Sequence, residues 1–401
     1  MMVAFASALQ RHKLQRLGQH CSSLPLLALA LPIGISFWTF ATIAYLIDIA
    51  RGTLSAERNF LRYALFTSLF AHVTAGPIAR VGQLLPQLSA KHRFSYEGMR
   101  SGLLLMLWGF FKKLVVADPL GVVVNTVYGK PIAFGNRPVL LAFATVAFSI
   151  QLYCDFSGYT DIVRGSARLY GIDLMRNFNR PYAADSVKEF WRRWHMTLMS
   201  WFRDYVYIPL GGSRVSRGRR YANIMAVFLV SGLWHGAGLT FVVWGLLNGA
   251  YQVFGELLAP ARERAIVALR IQSDGRFRHA LAVLTTFALI TLAWVFFRAE
   301  TLREAVFILS HVFSPAVASP AGLAALGDLG LSWLQLDAAL IAAVLVFVLE
   351  WLSTRTDLPA TLFRQRTPVR WAVYYAAILT VVIFGFYGPV YSAASFAYFK
   401  F

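Results

Sequence analysis

YANIMAVFLVSGLWHGAGLTFVVWGLLNGAYQVFG, residues 221–255, runs for 35 residues without a Lys, Arg, Asp or Glu. Basic stretches flank it, residues 214–220 before it and 262–278 after it. If both flanks lie on one side of a bilayer, the chain must enter and return. At ~1.5 Å per residue the run measures ~52 Å as a helix, less than two full spans of ~30 Å each. Two shortened helices meeting inside the membrane satisfy this arithmetic. The break is expected in SGLWHGAG, residues 231–238, where three glycines in seven residues supply backbone freedom. Irregular backbone at depth is tolerated only where protein or a watery cavity surrounds it. His235 sits at that break, and an ionisable residue inside a membrane is a functional hypothesis by default. The bland alternative, a packing histidine bonded to a carbonyl, stays open on these residues alone.

Working outward, the 401-residue chain is 58% hydrophobic and only 14% charged, against ~45–50% and ~25% in average soluble proteins. This excludes a disordered chain, a coiled coil and a disulfide scaffold, and it indicates an integral membrane protein. The net charge is +19. In a membrane protein Lys and Arg gather in short cytoplasmic loops and face anionic lipid. Nucleic acid is set aside as a partner, because no basic face separates from the apolar runs. Cys21 and Cys154 suggest neither a disulfide framework nor a metal site. His12, His20, His72, His92, His195, His279 and His311 show no close metal-ligand spacing. A Gly-x-Ser-x-Gly elbow and a Walker loop are both absent from the sequence.

Five further windows carry no formal charge: residues 18–47, 63–79, 138–154, 280–297 and 371–399. Residues 102–124 and 331–352 are apolar with a few charges, among them Lys112, Lys113, Asp118, Asp337 and Glu350. Together they predict roughly eight to ten membrane segments of ~20 residues, all helical because isolated strands cannot satisfy their backbone in lipid. Residues 262–278 hold five Arg and two acids, and residues 355–370 four Arg and one Asp. The intervening loop, residues 298–330, holds two Arg and three acids. The positive-inside rule makes the first two cytoplasmic and the middle one external. Residues 1–23 are expected to form a basic segment leading into a span.

One window breaks this pattern. Residues 176–220 hold ten Lys/Arg and three acids. Within it, FWRRWHMTLMSWFRDYVYIPLGGSR, residues 190–214, places Trp, Arg and His where a plain loop would hold Ser, Gly and Pro. An amphipathic interfacial helix with an aromatic belt is one reading. The other is a segment packed in a cavity, where Arg and His face a polar substrate.

These residues resemble the membrane-bound O-acyltransferases, and within them the branch of alginate O-acetyltransferases and teichoic acid D-alanyl transferases. The resemblance rests on LPIGISFWTF (31–40), AGPIAR (75–80), GFFKKLVVAD (109–118), QLYCDFSGYTDI (151–162), NFNRPYAADSVKEFWRRWHMTLMSWFRDYVYIPLGGSR (177–214) and SGLWHGAGLTFVVWGLLNGAY (231–251). WVFFRAE (294–300) and FAYFKF (396–401) also look like the alginate branch. The resemblance implies an all-α, multi-span bundle around a central funnel, with broken or re-entrant helices near a histidine close to the bilayer midplane. It implies that His235 is the active-site histidine and His195 the second polar position. Trp191, Trp194, Arg203, Asp204, Trp234 and Asn248 are the expected funnel or substrate-binding residues. In relatives a longer stretch precedes the Pro-Ile-Gly-Ile segment, whereas 31 residues precede Pro32 here. Residues 1–401 are therefore expected to form a single domain of the family that lacks several N-terminal helices.

The implied activity is transfer of an acetyl group from acetyl-coenzyme A, with no bound cofactor and no metal, across a bacterial inner membrane. The acceptor would be a hydroxyl of an extracytoplasmic polysaccharide, reached directly or through a partner acetyltransferase outside the membrane. D-Alanyl transfer to a teichoic-acid-type polymer and a non-catalytic scaffold in polysaccharide secretion are the alternatives. A transporter would require paired discontinuous helices in two related halves, and the sequence offers one broken segment and no repeat.

Overall fold

The computed structural model describes residues 34–268, 275–314 and 329–387. The expected basic segment 1–23 and the terminal 396–401 stretch lie outside the described residues. All regular structure among the described residues is helical. The helices used below are α1 (Ile35–Ala50), α2 (Tyr96–Phe110), α3 (Asp118–Tyr128), α4 (Pro138–Leu169), α5 (Val187–Arg193), α6 (Met196–Phe202), α7 (Arg217–His235), α8 (Leu239–Leu257), α9 (Arg276–Arg298), α10 (Leu302–Val312), α11 (Trp333–Leu352) and α12 (Thr367–Phe384).

The 32-residue α4 is the central post. Beside it runs a rod formed by α2, a π-helical stretch at Phe111–Ala117, and α3. Ser95 starts the rod by accepting the Gly98 N–H at 3.1 Å, and Glu97 in the first turn suits the helix dipole. Rod and post meet through glycines. A Cβ at Gly102 would lie 2.7 Å from the Gly165 carbonyl oxygen, and one at Gly109 2.5 Å from that of Gly158. Small residues at such seams let helix backbones approach closely, which is how helices gain packing energy in lipid.

The α7–α8 hairpin uses the same device. A Cβ at Gly232 would meet the Phe241 carbonyl oxygen at 2.4 Å, and one at Gly245 the Phe228 carbonyl oxygen at 2.3 Å. α7 ends at His235, and α8 begins at Leu239 after the Gly236-Ala237-Gly238 turn. The lengths differ from the expectation of two shortened helices. α7 starts before the charge-free window, at Arg217, and α8 runs past it to Leu257, so each has 19 residues and a length of ~28 Å.

Four described helices are long and apolar enough to cross a membrane: α4, α9, α11 and α12. The count of eight to ten expected from charge-free windows is higher for identifiable reasons. α1 has only 16 residues. The 102–124 window lies in a rod interrupted by its π turn, with Lys112 and Asp118 buried. The 63–79 window is not one helix. It divides into Phe60–Ser68, Phe70–Val73 and a non-helical run in which Ala75, Ile78 and Ala79 are buried against other elements.

An ionic cluster fills the space between rod and post. Lys112 Nζ lies 2.6 Å from Asp161 and donates to Ser157 Oγ at 3.0 Å. Lys113 bridges Asp118 at 2.6 Å and Asp155 at 2.8 Å. Tyr153 on α4 donates to Glu350 of α11 at 2.5 Å. The lysines and aspartates pair with opposite charges and Glu350 accepts a hydroxyl hydrogen bond, and such partners are the condition for keeping charges inside an apolar bundle.

Candidate active site

The site begins with a sharp turn between two short helices. α5 ends at Arg193 and α6 starts at Met196, with Trp194 and His195 between them. His195 has φ 43°, in the left-handed region, where a side chain crowds the following carbonyl oxygen. Among the described residues Arg180 is the only other non-glycine with positive φ. Such residues persist where surrounding structure over-determines them, and the surrounding bonds are visible here. The Met196 N–H donates to the Asn177 carbonyl oxygen at 2.9 Å, and the Asn179 N–H donates to that of Arg193 at 2.9 Å. Asn177 Oδ1 accepts from Thr197 Oγ1 at 2.5 Å and from the Thr197 N–H at 3.4 Å. Thr197 Oγ1 in turn accepts the Ile78 N–H at 3.0 Å. The NFNRP and AGPIAR stretches thus clamp the turn that carries His195.

His195 is buried between rings. Phe37 stacks on it at 6.1 Å between centroids, and Phe156 meets it edge-on at 4.8 Å. His235 is half-buried at the end of α7, contacted by Trp234 at 4.4 Å, Phe297 at 4.8 Å and Trp244 at 5.1 Å. Both histidines line one cavity, walled by Leu152, Phe156, Trp191, Trp194, Leu198, Met199, Ser231, Trp244, Trp294 and Phe297. The lining is aromatic and aliphatic apart from the two imidazoles, one hydroxyl and the indole N–H groups. This is the usual composition of a small-molecule site: an apolar enclosure with a few placed polar groups.

The expected site residues separate into three places. Trp191, Trp194, His195 and His235 line the cavity. Trp234 and Asn248 support it from behind: Trp234 packs between His235 and Phe40, while Asn248 Oδ1 accepts the Trp191 indole N–H at 3.2 Å and its amide donates to the Trp244 carbonyl oxygen at 2.8 Å. Arg203 and Asp204 pair with each other at 2.8 Å outside this lining. Asp204 belongs instead to an open polar pocket with Asp48, Arg51, Arg80, Tyr205 and Ile208. Sequence reasoning did not single out Trp244, Trp294, Phe297, Ser231 or the Asn177 clamp. Ser231 and Trp244 lie in the same charge-free run as His235, one helical turn before it and across the break respectively, so their position was available but their facing was not. Among the described residues, no three His, Cys, Asp or Glu side chains gather to hold a metal ion.

Comparison with known proteins gives the family. Residues 51–309 match the family described as MBOAT, membrane-bound O-acyltransferase. The chain is 39% identical over 286 residues to the "Probable alginate O-acetylase AlgI" of Pseudomonas aeruginosa, covering 71% of this chain and 52% of that protein. It is 37% identical over 314 residues to the peptidoglycan O-acetyltransferase of Helicobacter pylori, covering 71% of this chain and 57% of that one. Identity to the teichoic acid D-alanyltransferase of Bacillus subtilis is 28% over 228 residues, covering 54% and 56% of the two chains. The chain therefore spans about half the length of the curated relatives it matches. A family match over most of the chain, with a paired-histidine cavity in an apolar helical bundle, makes this protein a member of the membrane-bound O-acyltransferase family.

Proposed function

We propose that the protein is a multi-pass enzyme of a bacterial inner membrane that transfers an acetyl group from a cytoplasmic thioester, acetyl-coenzyme A, to hydroxyls of an extracytoplasmic polysaccharide, directly or through a partner acetyltransferase. The observation that carries the reading is the shared cavity of His195 and His235. A thioester is already activated, so the chemistry needs a base for the hydroxyl, an acid for the leaving thiolate and a dry enclosure.

The length and charge of α7 support that direction. Arg217 opens α7 and His235 closes it, ~27 Å apart along the axis. With the basic end at the cytoplasmic surface of a core ~30 Å thick, His235 falls beyond the midplane, toward the outer side. Its neighbour Phe297 sits at the far end of α9, whose start carries Arg276 and Arg278. His235 is then the base for an acceptor hydroxyl arriving from outside, at the turn that joins α7 to α8. His195 lies on the other wall of the cavity, beside Phe156. The hydroxyl oxygen attacks the thioester carbonyl carbon, His235 Nε2 or Nδ1 takes the hydroxyl proton, the C–S bond breaks, and the thiolate recovers a proton through the imidazole pair. The overall exchange releases no proton, but it moves one from the acceptor to the donor, and two histidines sharing one cavity can carry it.

The small, uncharged lining favours acetyl over D-alanyl. None of the twelve lining residues is an Asp or Glu that could neutralise an ammonium group, and an unpaired charge in such surroundings is costly. Ester-linked acetate on the host's extracellular polysaccharide tests the proposal, with wild type compared with His235→Ala at matched membrane levels. Loss of acetate in the variant is the expected result. Acetate that persists in the variant yet falls on gene deletion assigns a scaffold role instead.

A further inference from the structure

Trp244 lines the cavity on the His235 side, 1% exposed, with its ring edge-on to the imidazole at 5.1 Å. Its Nε1 is buried and has no hydrogen-bond partner among the described residues. Of the neighbouring indoles, Trp294, stacked on Trp244 in the same cavity wall, likewise has no acceptor among the described residues, while two others are satisfied. Trp191 gives its N–H to Asn248 Oδ1 at 3.2 Å, and Trp201 gives its own to the Phe40 carbonyl oxygen at 2.9 Å. Buried indole N–H groups nearly always find an acceptor, so an uncommitted one in the wall of a reaction cavity requires an explanation.

Packing leaves Trp244 little freedom to turn and find another partner. Trp294 stacks on it at 5.7 Å and 19°, Trp191 meets it at 5.7 Å and 75°, and Phe297 lies at 5.1 Å. Asn248 holds the Trp244 carbonyl oxygen from below at 2.8 Å. The indole is therefore a fixed donor in an apolar enclosure. A donor fixed before the reaction, and short of an acceptor in the resting site, stabilises charge that develops on an oxygen without any reorganisation at the moment of reaction.

We propose that the Trp244 Nε1–H is an oxyanion donor, hydrogen-bonding the carbonyl oxygen of the acyl group while the acceptor hydroxyl attacks. This rests on the acyl-transfer reading above. As the new C–O bond forms, the carbonyl π electrons move onto oxygen and the hydroxyl proton passes to His235. The negative oxygen accepts the indole N–H. Collapse restores the carbonyl, breaks the C–S bond, and the thiolate takes up the proton. Ser231 lines the same cavity one turn before His235 and is the one aliphatic hydroxyl in it.

Trp244→Phe in the full-length protein, assayed in membranes with acetyl-coenzyme A, tests the assignment. We expect kcat to fall by ~10²–10³ with KM unchanged, the range for removing one oxyanion donor. A second measurement separates the N–H from the ring's volume. Acetyl-dithio-coenzyme A carries sulfur, a poor hydrogen-bond acceptor, in place of the carbonyl oxygen. Wild type should lose far more rate with it than the variant does, so that the thioester-to-dithioester ratio falls in Trp244→Phe by about the factor lost from kcat. An unchanged ratio assigns Trp244 to packing and overturns the proposal, as does a raised KM with kcat preserved. Wild-type protein that transfers no acetyl group from acetyl-coenzyme A overturns the functional reading, and this assignment with it.

Discussion

At the scale of single residues, His195 joins its proposed chemical task to an unfavourable backbone. Its left-handed conformation costs ~1–2 kcal/mol for a residue with a Cβ. Asn tolerates this region and β-branched residues do not. His195→Asn should therefore fold, with a melting temperature close to wild type, and lose acetyl transfer by ~10²–10⁴, the range for removing an acid–base group. His195→Val should lose the activity and a further ~1–2 kcal/mol of stability, seen as a lower melting temperature in detergent. Asn177 controls the same turn from outside. Its Oδ1 is the acceptor for both Thr197 donors. Asn177→Ala leaves those buried donors with one acceptor fewer, which costs ~1–3 kcal/mol and releases His195 from its position. Asn177→Asp keeps the acceptor oxygen, and recovery of transfer activity in that variant checks that the contact positions the imidazole. Retained activity in the Ala variant would show that the clamp is dispensable.

At the scale of elements, glycine seams decide how close helices come. Gly245→Ala puts a Cβ 2.3 Å from the Phe228 carbonyl oxygen, and backbone cannot step aside as a side-chain tip can. The α7–α8 hairpin must spread, at ~1–3 kcal/mol for overpacking, and His235 at its end moves with it. Gly218→Ala, at the open start of α7 with nothing within 4 Å, should be neutral or stabilise by ~0.4–1 kcal/mol through the unfolded chain. Thermal unfolding of the two variants in the same detergent checks the contrast. This scale also marks what the sequence reveals. Long apolar runs, uncharged for α4, α9 and α12 and nearly so for α11, located these helices, because lipid admits only helices whose backbone is satisfied internally. The same rule misread residues 63–79. A run without charge can equally be an irregular segment buried in protein, and Ile78 there gives its N–H to Thr197 rather than to a helix. His235 and the glycine-rich break around it were legible from composition and spacing. The Asn177 clamp and the uncommitted Trp244 N–H were not, since both depend on contacts between segments distant in the chain.

At the scale of the whole molecule, α4 serves two regions with opposite requirements. Leu152 and Phe156 wall the cavity, while Asp155 and Asp161 on the same stretch hold the lysines of the rod. Glu350 extends the cluster to α11 through Tyr153, and the Phe386 N–H beyond α12 satisfies the Leu114 carbonyl oxygen inside the π turn at 2.9 Å. The cluster and this backbone bond thus tie four elements together, in addition to the glycine seams between rod and post. Such networks specify an arrangement more reliably than they stabilise it, and removing one member leaves an uncompensated buried charge. Lys113→Met strands Asp118 and Asp155 against each other. It should cost ~3–5 kcal/mol and lower the yield of monodisperse protein in detergent. The triple variant Lys113→Met, Asp118→Asn, Asp155→Asn removes the charges together and should recover most of that stability, a strongly non-additive outcome. Acetyl transfer then separates two roles for the cluster. If it only holds the bundle together, the triple variant regains activity along with stability. If register is its contribution, the protein refolds with α4 free to slide, the cavity wall at Leu152 and Phe156 shifts against His195, and stability returns without activity. Equal destabilisation in the single and triple variants would show that the charges themselves are not what holds rod to post.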